Sequence, residues 1–196
     1  MALIPERQRE AIRERLQAME GPVKLVVFTQ EGPECPYCRE TRQLVEELAE
    51  LSDKLTAEVH FFQEERELAE KFGVDKVPAI VFLGEGDKDY GMRFFGIPTG
   101  YEFVTVLEGI LDVSRGSTDL SESTKEVLKR LRRPVHIQVF VTPTCPYCPG
   151  AARLAHQMAV ESDMVRADVI EANEFQHLAM RYHVYAVPKT IINEVL

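Results

Sequence analysis

Short apolar runs alternate along the chain with longer segments in which apolar residues recur at helical spacing. The runs VKLVVFT at 23–29 and VHIQVFV at 135–141 are rich in β-branched residues, and each follows a proline. Such runs predict buried strands. Further strands are predicted at 57–62 and 164–170, and again directly after the Val-Pro pairs. The resulting order of strand, helix, strand, helix, strand predicts an α/β fold with a mainly parallel sheet covered by helices.

The same order of motifs and predicted elements occurs twice along the chain. Pro78 follows Cys35 by 43 residues, and Pro188 follows Cys145 by the same 43 residues. Each proline is preceded by a valine and by a similar helix ending, ELAEKFGVDKVP in one half and HLAMRYHVYAVP in the other. A register without gaps over this length predicts an internal duplication with an offset of 110 residues.

An amphipathic helix is predicted before each repeat, over 4–20 and about 120–132. The small, polar segment 115–119 lies between the repeats, so we predict units at 1–116 and 117–196. The first unit continues past Pro78 through a glycine-rich turn, a strand and a helix, whereas the sequence ends 8 residues after Pro188. The second unit is therefore expected to be truncated, to have an unpaired third strand, and to continue for roughly 25 to 35 residues in the native gene product.

Composition and charge narrow the possible functions. Hydrophobic residues make up 45% of the chain and charged residues 28%, which is typical of a globular protein. The formal net charge of -9 argues against a nucleic-acid binder or a protein that binds anionic membranes. The first twenty residues have no apolar core of a signal peptide, and no segment is long and apolar enough for a membrane span. A cytoplasmic location is expected.

All four cysteines belong to two copies of the tetrapeptide Cys-Pro-Tyr-Cys. Each copy comes where a predicted strand ends and a predicted helix begins, and the positive end of a helix dipole favours a thiolate there. A proline fits the first helical position, and two cysteines three positions apart can form a disulfide. The candidate residues are Cys35, Pro36, Tyr37 and Cys38 in the first copy, and Cys145, Pro146, Tyr147 and Cys148 in the second.

The alternative is that the two cysteine pairs together bind one zinc ion. Zinc ribbons separate their pairs by about 15 to 20 residues. Here Cys145 follows Cys38 by 107 residues, and each pair opens its own helix. Redox use is therefore favoured and no metal is expected, while a zinc-binding or redox-silent scaffold that binds partners stays open as the alternative.

Together, the Cys-Pro-Tyr-Cys motifs, the Val-Pro pairs and the run FFGIPTGYEF at 94–103 carry a family resemblance. The chain resembles the thioredoxin and glutaredoxin fold, and in particular the tandem protein disulfide oxidoreductases, or glutaredoxin-like proteins, of hyperthermophiles. The resemblance implies two tandem thioredoxin-like units, each a central mixed β-sheet flanked by helices. It also implies the residue roles: attacking thiols at Cys35 and Cys145, resolving thiols at Cys38 and Cys148, cis prolines at Pro78 and Pro188, and substrate-pairing backbone at Val77 and Val187.

The function that the resemblance implies is thiol-disulfide exchange on protein substrates, by reduction, oxidation or isomerisation. Redox-active disulfides would serve without a further cofactor, and a thioredoxin-reductase-like flavoprotein or glutathione would donate electrons. The alternative within redox chemistry is a glutathione-linked or flavoprotein-linked electron carrier. No buried acid is identified from the sequence, and a surface position is expected for Glu58, Asp168 and Glu171. The five histidines are assigned to structure or surface.

Overall fold

The computed structural model describes residues 2–195. Within these residues seven α-helices and seven strands follow one another in the order that the apolar pattern predicts. The helices are α1 (Glu6–Leu16), α2 (Cys38–Ala49), α3 (Arg66–Lys71), α4 (Phe103–Arg115), α5 (Glu122–Lys129), α6 (Cys148–Glu161) and α7 (Gln176–Arg181). The strands are β1 (Val23–Thr29), β2 (Leu55–Phe61), β3 (Ala79–Leu83), β4 (Asp89–Phe95), β5 (Val135–Val141), β6 (Val165–Glu171) and β7 (Lys189–Ile192).

All seven strands form one mixed sheet in the order β2-β1-β3-β4-β6-β5-β7. In the first repeat β1 is parallel to β2 and antiparallel to β3, and in the second β5 is parallel to β6 and antiparallel to β7. The predicted α/β architecture of two repeats with a mixed sheet and flanking helices is confirmed. The pairing of β4 with β6, in parallel, joins the two repeats into one sheet.

Apolar side chains cover both faces of the sheet. On one face α2, α4 and α6 pack over side chains such as Leu25, Phe82 and Val169, and α4 lies directly against α6. On the other face Phe28, Phe95, Phe140 and Ile170 belong to a second cluster, with contributions from the short helices α3 and α7. Because α4 belongs to the first repeat and α6 to the second, the core is continuous across both.

The first and last strands of the sheet are its edges. β7 pairs only with β5, whereas its counterpart β3 lies between β1 and β4. Half of the Ile192 surface is exposed on this edge. Within residues 2–195 the third strand of the second unit is therefore an edge strand, with no partner on its outer side, as predicted.

The division at residue 116 coincides with a helix end. Gly116 takes a left-handed conformation as the C-cap of α4, and α5 begins at Glu122. The units 1–116 and 117–196 stay a prediction, and their outer ends, Met1 and Leu196, lie outside the described residues. No helix within residues 2–195 combines the length and hydrophobicity needed to cross a bilayer.

Candidate redox sites

Each Cys-Pro-Tyr-Cys tetrapeptide forms a disulfide. Cys35 is bonded to Cys38 and Cys145 to Cys148, and the two Cα atoms lie 5.4 Å apart in both pairs. This separation is within the ordinary range for disulfides. Both sites therefore have the geometry for a reversible dithiol-disulfide couple.

The two cysteines of each pair differ in exposure. Cys35 and Cys145 keep 7% and 8% of their surface in contact with solvent, whereas Cys38 and Cys148 have 0%. Thiol-disulfide exchange requires access of the attacking sulfur to the attacked one. Only the first sulfur of each pair is available to a partner from outside.

The helix starts differ by a few residues from the sequence expectation. α2 begins at Cys38 and α6 at Cys148, so the second cysteine, not the proline, is the first helical residue. Pro36 and Pro146 lie in the preceding turn, which is closed at 3.4 Å by a hydrogen bond from the Cys38 N–H to the Cys35 carbonyl and by its counterpart in the second site. The prediction of these prolines at the first helical position is wrong, because the residues from the first to the second cysteine form a hydrogen-bonded turn ahead of the helix.

The first cysteine of each pair consequently precedes a helix of 12 or 14 residues. The free N–H groups and the dipole at such a start stabilise a thiolate. At the first site the Gln30 N–H also points toward the Cys38 sulfur, at 3.4 Å. Both sites thus favour the anionic sulfur that exchange chemistry needs.

The Val-Pro segments lie before the third strand of each repeat. The Val77-Pro78 and Val187-Pro188 peptide bonds are both cis, so the conformation expected from the resemblance is present. At the second site the Cys145 Sγ lies 3.8 Å from the Val187 carbonyl oxygen, which places this segment against the disulfide. Pro78 is buried, and its carbonyl accepts a hydrogen bond from Gly96 after β4, whereas Pro188 on the edge is exposed.

A turn of the first repeat contacts the loop before the second disulfide. The Tyr101 N–H donates to the Pro143 carbonyl at 2.9 Å. Gly100, with φ of +60°, lies so close that a Cβ atom there would stand 2.3 Å from that carbonyl oxygen. Only glycine fits this backbone approach.

A buried acid next to the Gly100 turn was not identified from the sequence. Glu102 follows the Gly100 turn, and its Oε2 accepts a hydrogen bond from the Thr105 hydroxyl at 2.9 Å, while Oε1 has no partner among the described residues. Burial raises the pKa of Glu102 to about 7. The only signal in the sequence is the acid inside the otherwise apolar and small run at 94–103.

Two other carboxylates contradict the surface positions expected for them. Asp168 and Glu171 are buried in β6, although Glu58 is exposed in β2 as predicted. Burial acts to raise the pKa of Asp168, but the hydrogen bond with His136 and the nearby Arg166 guanidinium lower it overall. The surface prediction holds for Glu58 because β2 is an edge strand. It fails for Asp168 and Glu171 because β6 lies inside the sheet, between β4 and β5.

Among the histidines, only His156 is buried in the core. Its Nε2 lies 2.9 Å from the Arg93 carbonyl, and burial lowers its pKa to about 4. Within residues 2–195 no group of three or more His, Cys, Asp and Glu side chains has the geometry to hold a metal ion.

Comparison with protein families finds two matches. The model described as a thioredoxin-like domain matches residues 10–110, and the model described as a thioredoxin domain matches residues 135–196. Each match contains one Cys-Pro-Tyr-Cys motif and one cis Val-Pro pair.

Curated relatives include an alkyl hydroperoxide reductase protein of Staphylococcus epidermidis. It is 25% identical over 94% of this chain, but the aligned part is 33% of that protein. A protein named NADH dehydrogenase from Ferdinandcohnia aciditolerans is 24% identical over 98% of this chain and 34% of its own length. The chain thus spans about a third of the length of the curated relatives it matches.

Solved structures reproduce the whole fold. A protein disulfide oxidoreductase from Aeropyrum pernix is 33% identical, with a TM-score of 0.90 over 97% of this chain and 84% of the other. The N-terminal domain of alkylhydroperoxide reductase AhpF from Enterococcus faecalis has the same TM-score at 23% identity, over 98% of this chain and 91% of the other. The second match shows the fold alone.

Proposed function

Because this chain belongs to the thioredoxin-like domain family, we propose that it is a thiol-disulfide oxidoreductase that acts on protein disulfides through two dithiol sites. The observation that carries the proposal is the shared geometry of both pairs: a disulfide at the start of a helix, with one sulfur at the surface and the other buried. The similarity to the Aeropyrum pernix protein disulfide oxidoreductase supports this class of activity. The redox-active disulfides serve without a further cofactor.

Exchange at the first site involves the sulfurs of Cys35 and Cys38 and two thiolates of the client. A client thiolate attacks the Cys35 Sγ, a new bond joins the two sulfurs, and Cys38 leaves as a thiolate. A second client thiolate then attacks the client sulfur of this mixed disulfide and releases Cys35. The client loses two electrons and gains a disulfide, while the Cys35–Cys38 disulfide gains the two electrons and becomes a dithiol. The same steps in reverse reduce a client disulfide.

The roles of the paired cysteines follow from their exposure. Cys35 and Cys145, at the surface, form the mixed disulfide, and the buried Cys38 and Cys148 resolve it from inside the protein. We propose that the backbone of Val77 and Val187, before the cis prolines, pairs with a client strand. The distance of 3.8 Å from the Val187 carbonyl oxygen to the Cys145 Sγ supports this role at the second site.

A second candidate is an electron carrier that serves a flavoprotein. The match of 94% of this chain to one third of an alkyl hydroperoxide reductase protein favours it. In this function the disulfides would accept two electrons from a flavoprotein or from glutathione, and the resulting dithiols would pass them to a disulfide of a partner protein, which is reduced to two thiols. A cytoplasmic location belongs to both proposals.

Insulin reduction and the refolding of scrambled ribonuclease test the main proposal. The wild-type protein and the single-site variants Cys35→Ser and Cys145→Ser are compared, with the double variant as the control. The proposal predicts that the single-site variants keep activity through the other site and that the double variant has none. Equal activity of the double variant, or stoichiometric zinc in an inactive protein, would contradict it.

A further inference from the structure

Helix α2, which follows the first disulfide, contains a buried hydroxyl without a hydrogen-bond partner. Thr41 has 0% of its surface exposed, and its Oγ1 makes no hydrogen bond with any described residue. The Thr41 N–H donates to the Tyr37 carbonyl at 2.8 Å, so only the side chain is unsatisfied. A threonine hydroxyl in a helix can bond a carbonyl of the preceding turn, and a buried polar group without a partner is costly. Such a group in a folded protein calls for an explanation, and a catalytic role is one of them.

Thr41 and the resolving cysteine Cys38 lie on the same side of α2. Residues three positions apart are neighbours on a helix, with about 5 to 6 Å between their Cβ atoms. Helical side chains also lean toward the N-terminus, which places the Thr41 side chain over the turn that begins at Cys38. Both residues are fully buried. The hydroxyl therefore lies within one helical turn of the sulfur that leaves when the disulfide opens.

Two other polar groups already contact Cys38. The Gln30 N–H points toward its Sγ at 3.4 Å, and the Thr29 hydroxyl donates to its carbonyl oxygen at 3.4 Å. The Thr29 hydroxyl is thereby engaged, whereas the Thr41 hydroxyl is free to donate. A neutral sulfur is only a weak acceptor, but a thiolate accepts strong, charge-assisted hydrogen bonds. An unused donor and a sulfur that becomes charged during exchange thus belong to the same buried turn.

The second site has no counterpart of this hydroxyl. The offset of 110 residues places Ala151 at the position of Thr41. Strand β5 ends at Val141, where β1 ends at Thr29, so a second hydroxyl is also replaced by an apolar side chain. Among the described residues no N–H donates to the Cys148 sulfur. The two resolving cysteines therefore differ in the polar groups around them.

We propose that the Thr41 hydroxyl donates a hydrogen bond to the Cys38 sulfur as the first disulfide opens. A client thiolate attacks the Cys35 Sγ, the bond between the two cysteine sulfurs breaks, and its electron pair stays on Cys38, which becomes a thiolate. The hydroxyl keeps its proton and stabilises the charge that develops on the leaving sulfur. The inference rests on the proposed function and adds a catalytic donor to the first site.

This donor favours the oxidation of a client at the first site. A stabilised thiolate leaves faster, and it is a weaker nucleophile when it attacks to close the disulfide again. The mixed disulfide between Cys35 and the client therefore forms more readily and persists longer. A second client thiolate then has more time to displace Cys35 and complete the client disulfide.

The test uses as its parent the full chain with the second site silenced by Cys145→Ser and Cys148→Ser. Reduced glutathione attacks the oxidised first site, and acid quenching followed by intact-mass analysis measures the initial rate at which its mixed disulfide with Cys35 forms. Thr41→Val removes the hydroxyl and keeps the shape of the side chain. It should slow this step about tenfold, the order of magnitude of one hydrogen bond to a charged group. Thr41→Ser keeps a hydroxyl and should restore the parent rate.

Two controls separate this donor from the general loss of a buried hydroxyl. Thr29→Val removes a hydroxyl that is also buried beside Cys38 but is bonded to a carbonyl, so it should leave the rate nearly unchanged. In a chain whose first site is silenced by Cys35→Ser and Cys38→Ser, Thr41→Val should leave the rate of the second site unchanged. The unfolding midpoint shows that each variant is folded.

Each other result overturns the inference. An unchanged rate in Thr41→Val, or a rate in Thr41→Ser as low as that in Thr41→Val, would show that the hydroxyl does not serve the Cys38 sulfur. An equal loss in Thr29→Val, or a slower second site in Thr41→Val, would assign the effect to the structure as a whole. If glutathione opens neither disulfide of the wild type, the proposed function itself fails, and the two failures are thereby distinguished.

Discussion

The two cysteines of each pair stand only three residues apart, yet the fold gives them different environments. Cys38 and Cys148 are fully buried as the first residues of their helices, and Cys35 and Cys145 reach the surface from the preceding turn. The difference in exposure between the two sulfurs therefore follows from where the helix starts.

Removal of the resolving cysteine should trap the client. In a chain whose second site carries Cys145→Ser and Cys148→Ser, Cys38→Ser should accumulate a mixed disulfide with a disulfide-bonded client, because no internal thiol releases it. Cys35→Ser should accumulate none, because the remaining sulfur is buried. Non-reducing electrophoresis and intact-mass analysis measure the adduct. More adduct in Cys35→Ser than in Cys38→Ser would contradict the assignment.

Glu102 should make the stability depend on pH. Its pKa is raised in the folded state from 4.5 to about 7, so the folded protein binds the proton more tightly than the unfolded chain, and stability falls as pH rises through this window. The shift corresponds to about 3 kcal/mol.

Urea unfolding between pH 5 and pH 8 measures this effect. Glu102→Gln should lose less stability over this range than the wild type, and Glu34→Gln, at an exposed position, should follow the wild type. Parallel curves for Glu102→Gln and the wild type would show that the carboxyl does not titrate as described.

At the scale of the elements, the Gly100 turn is a close backbone approach between the first repeat and the loop of the second site. Its positive φ and the neighbouring Pro143 carbonyl exclude any side chain. The contact places residues of one repeat beside the reactive loop of the other.

Gly100→Ala should therefore destabilise the protein by about 1 to 3 kcal/mol, from the left-handed backbone and the clash together. Gly150→Ala is the matched control, because it lies in α6 with open space around it and should stabilise the helix by about 0.5 to 1 kcal/mol. Thermal unfolding measures both. An equal effect of the two substitutions would show that the Gly100 approach does not constrain the backbone.

The strands and their order could be predicted from the sequence, but the pairing of β4 with β6 could not. Runs such as 23–29 and 135–141 carry a local signal, and the structure places β1 and β5 on those residues. The pairing of β4 with β6 joins residues far apart in sequence, and no local pattern encodes it. The burial of Asp168 depends on this pairing, which is why a position equivalent to the exposed Glu58 was wrongly expected at the surface.

At the candidate sites, too, some features could be predicted from the sequence and others could not. The cysteine spacing and the Val-Pro pairs could be read from the repeat, because they recur at one offset. The burial of Glu102 could not, because it depends on how the folded chain packs around that side chain.

At the scale of the whole molecule, the two repeats share one sheet and both apolar clusters, so we predict that they unfold together. After reduction, the buried Cys38 and Cys148 report on the two repeats separately. Both should become accessible to an alkylating reagent at the same urea concentration, as in a single cooperative transition. Alkylation of one well before the other, followed by peptide mass analysis, would show that the repeats are independent domains.

The central claim is that both cysteine pairs are redox-active dithiols. The most direct test equilibrates the wild type and the two single-site variants, Cys35→Ser and Cys145→Ser, in glutathione buffers and measures the fraction of each intramolecular disulfide by mass after alkylation. We predict that each remaining pair converts reversibly, with a potential between about -270 and -120 mV, the range of this class of dithiols. Failure of either pair to form an intramolecular disulfide in any buffer would contradict the account.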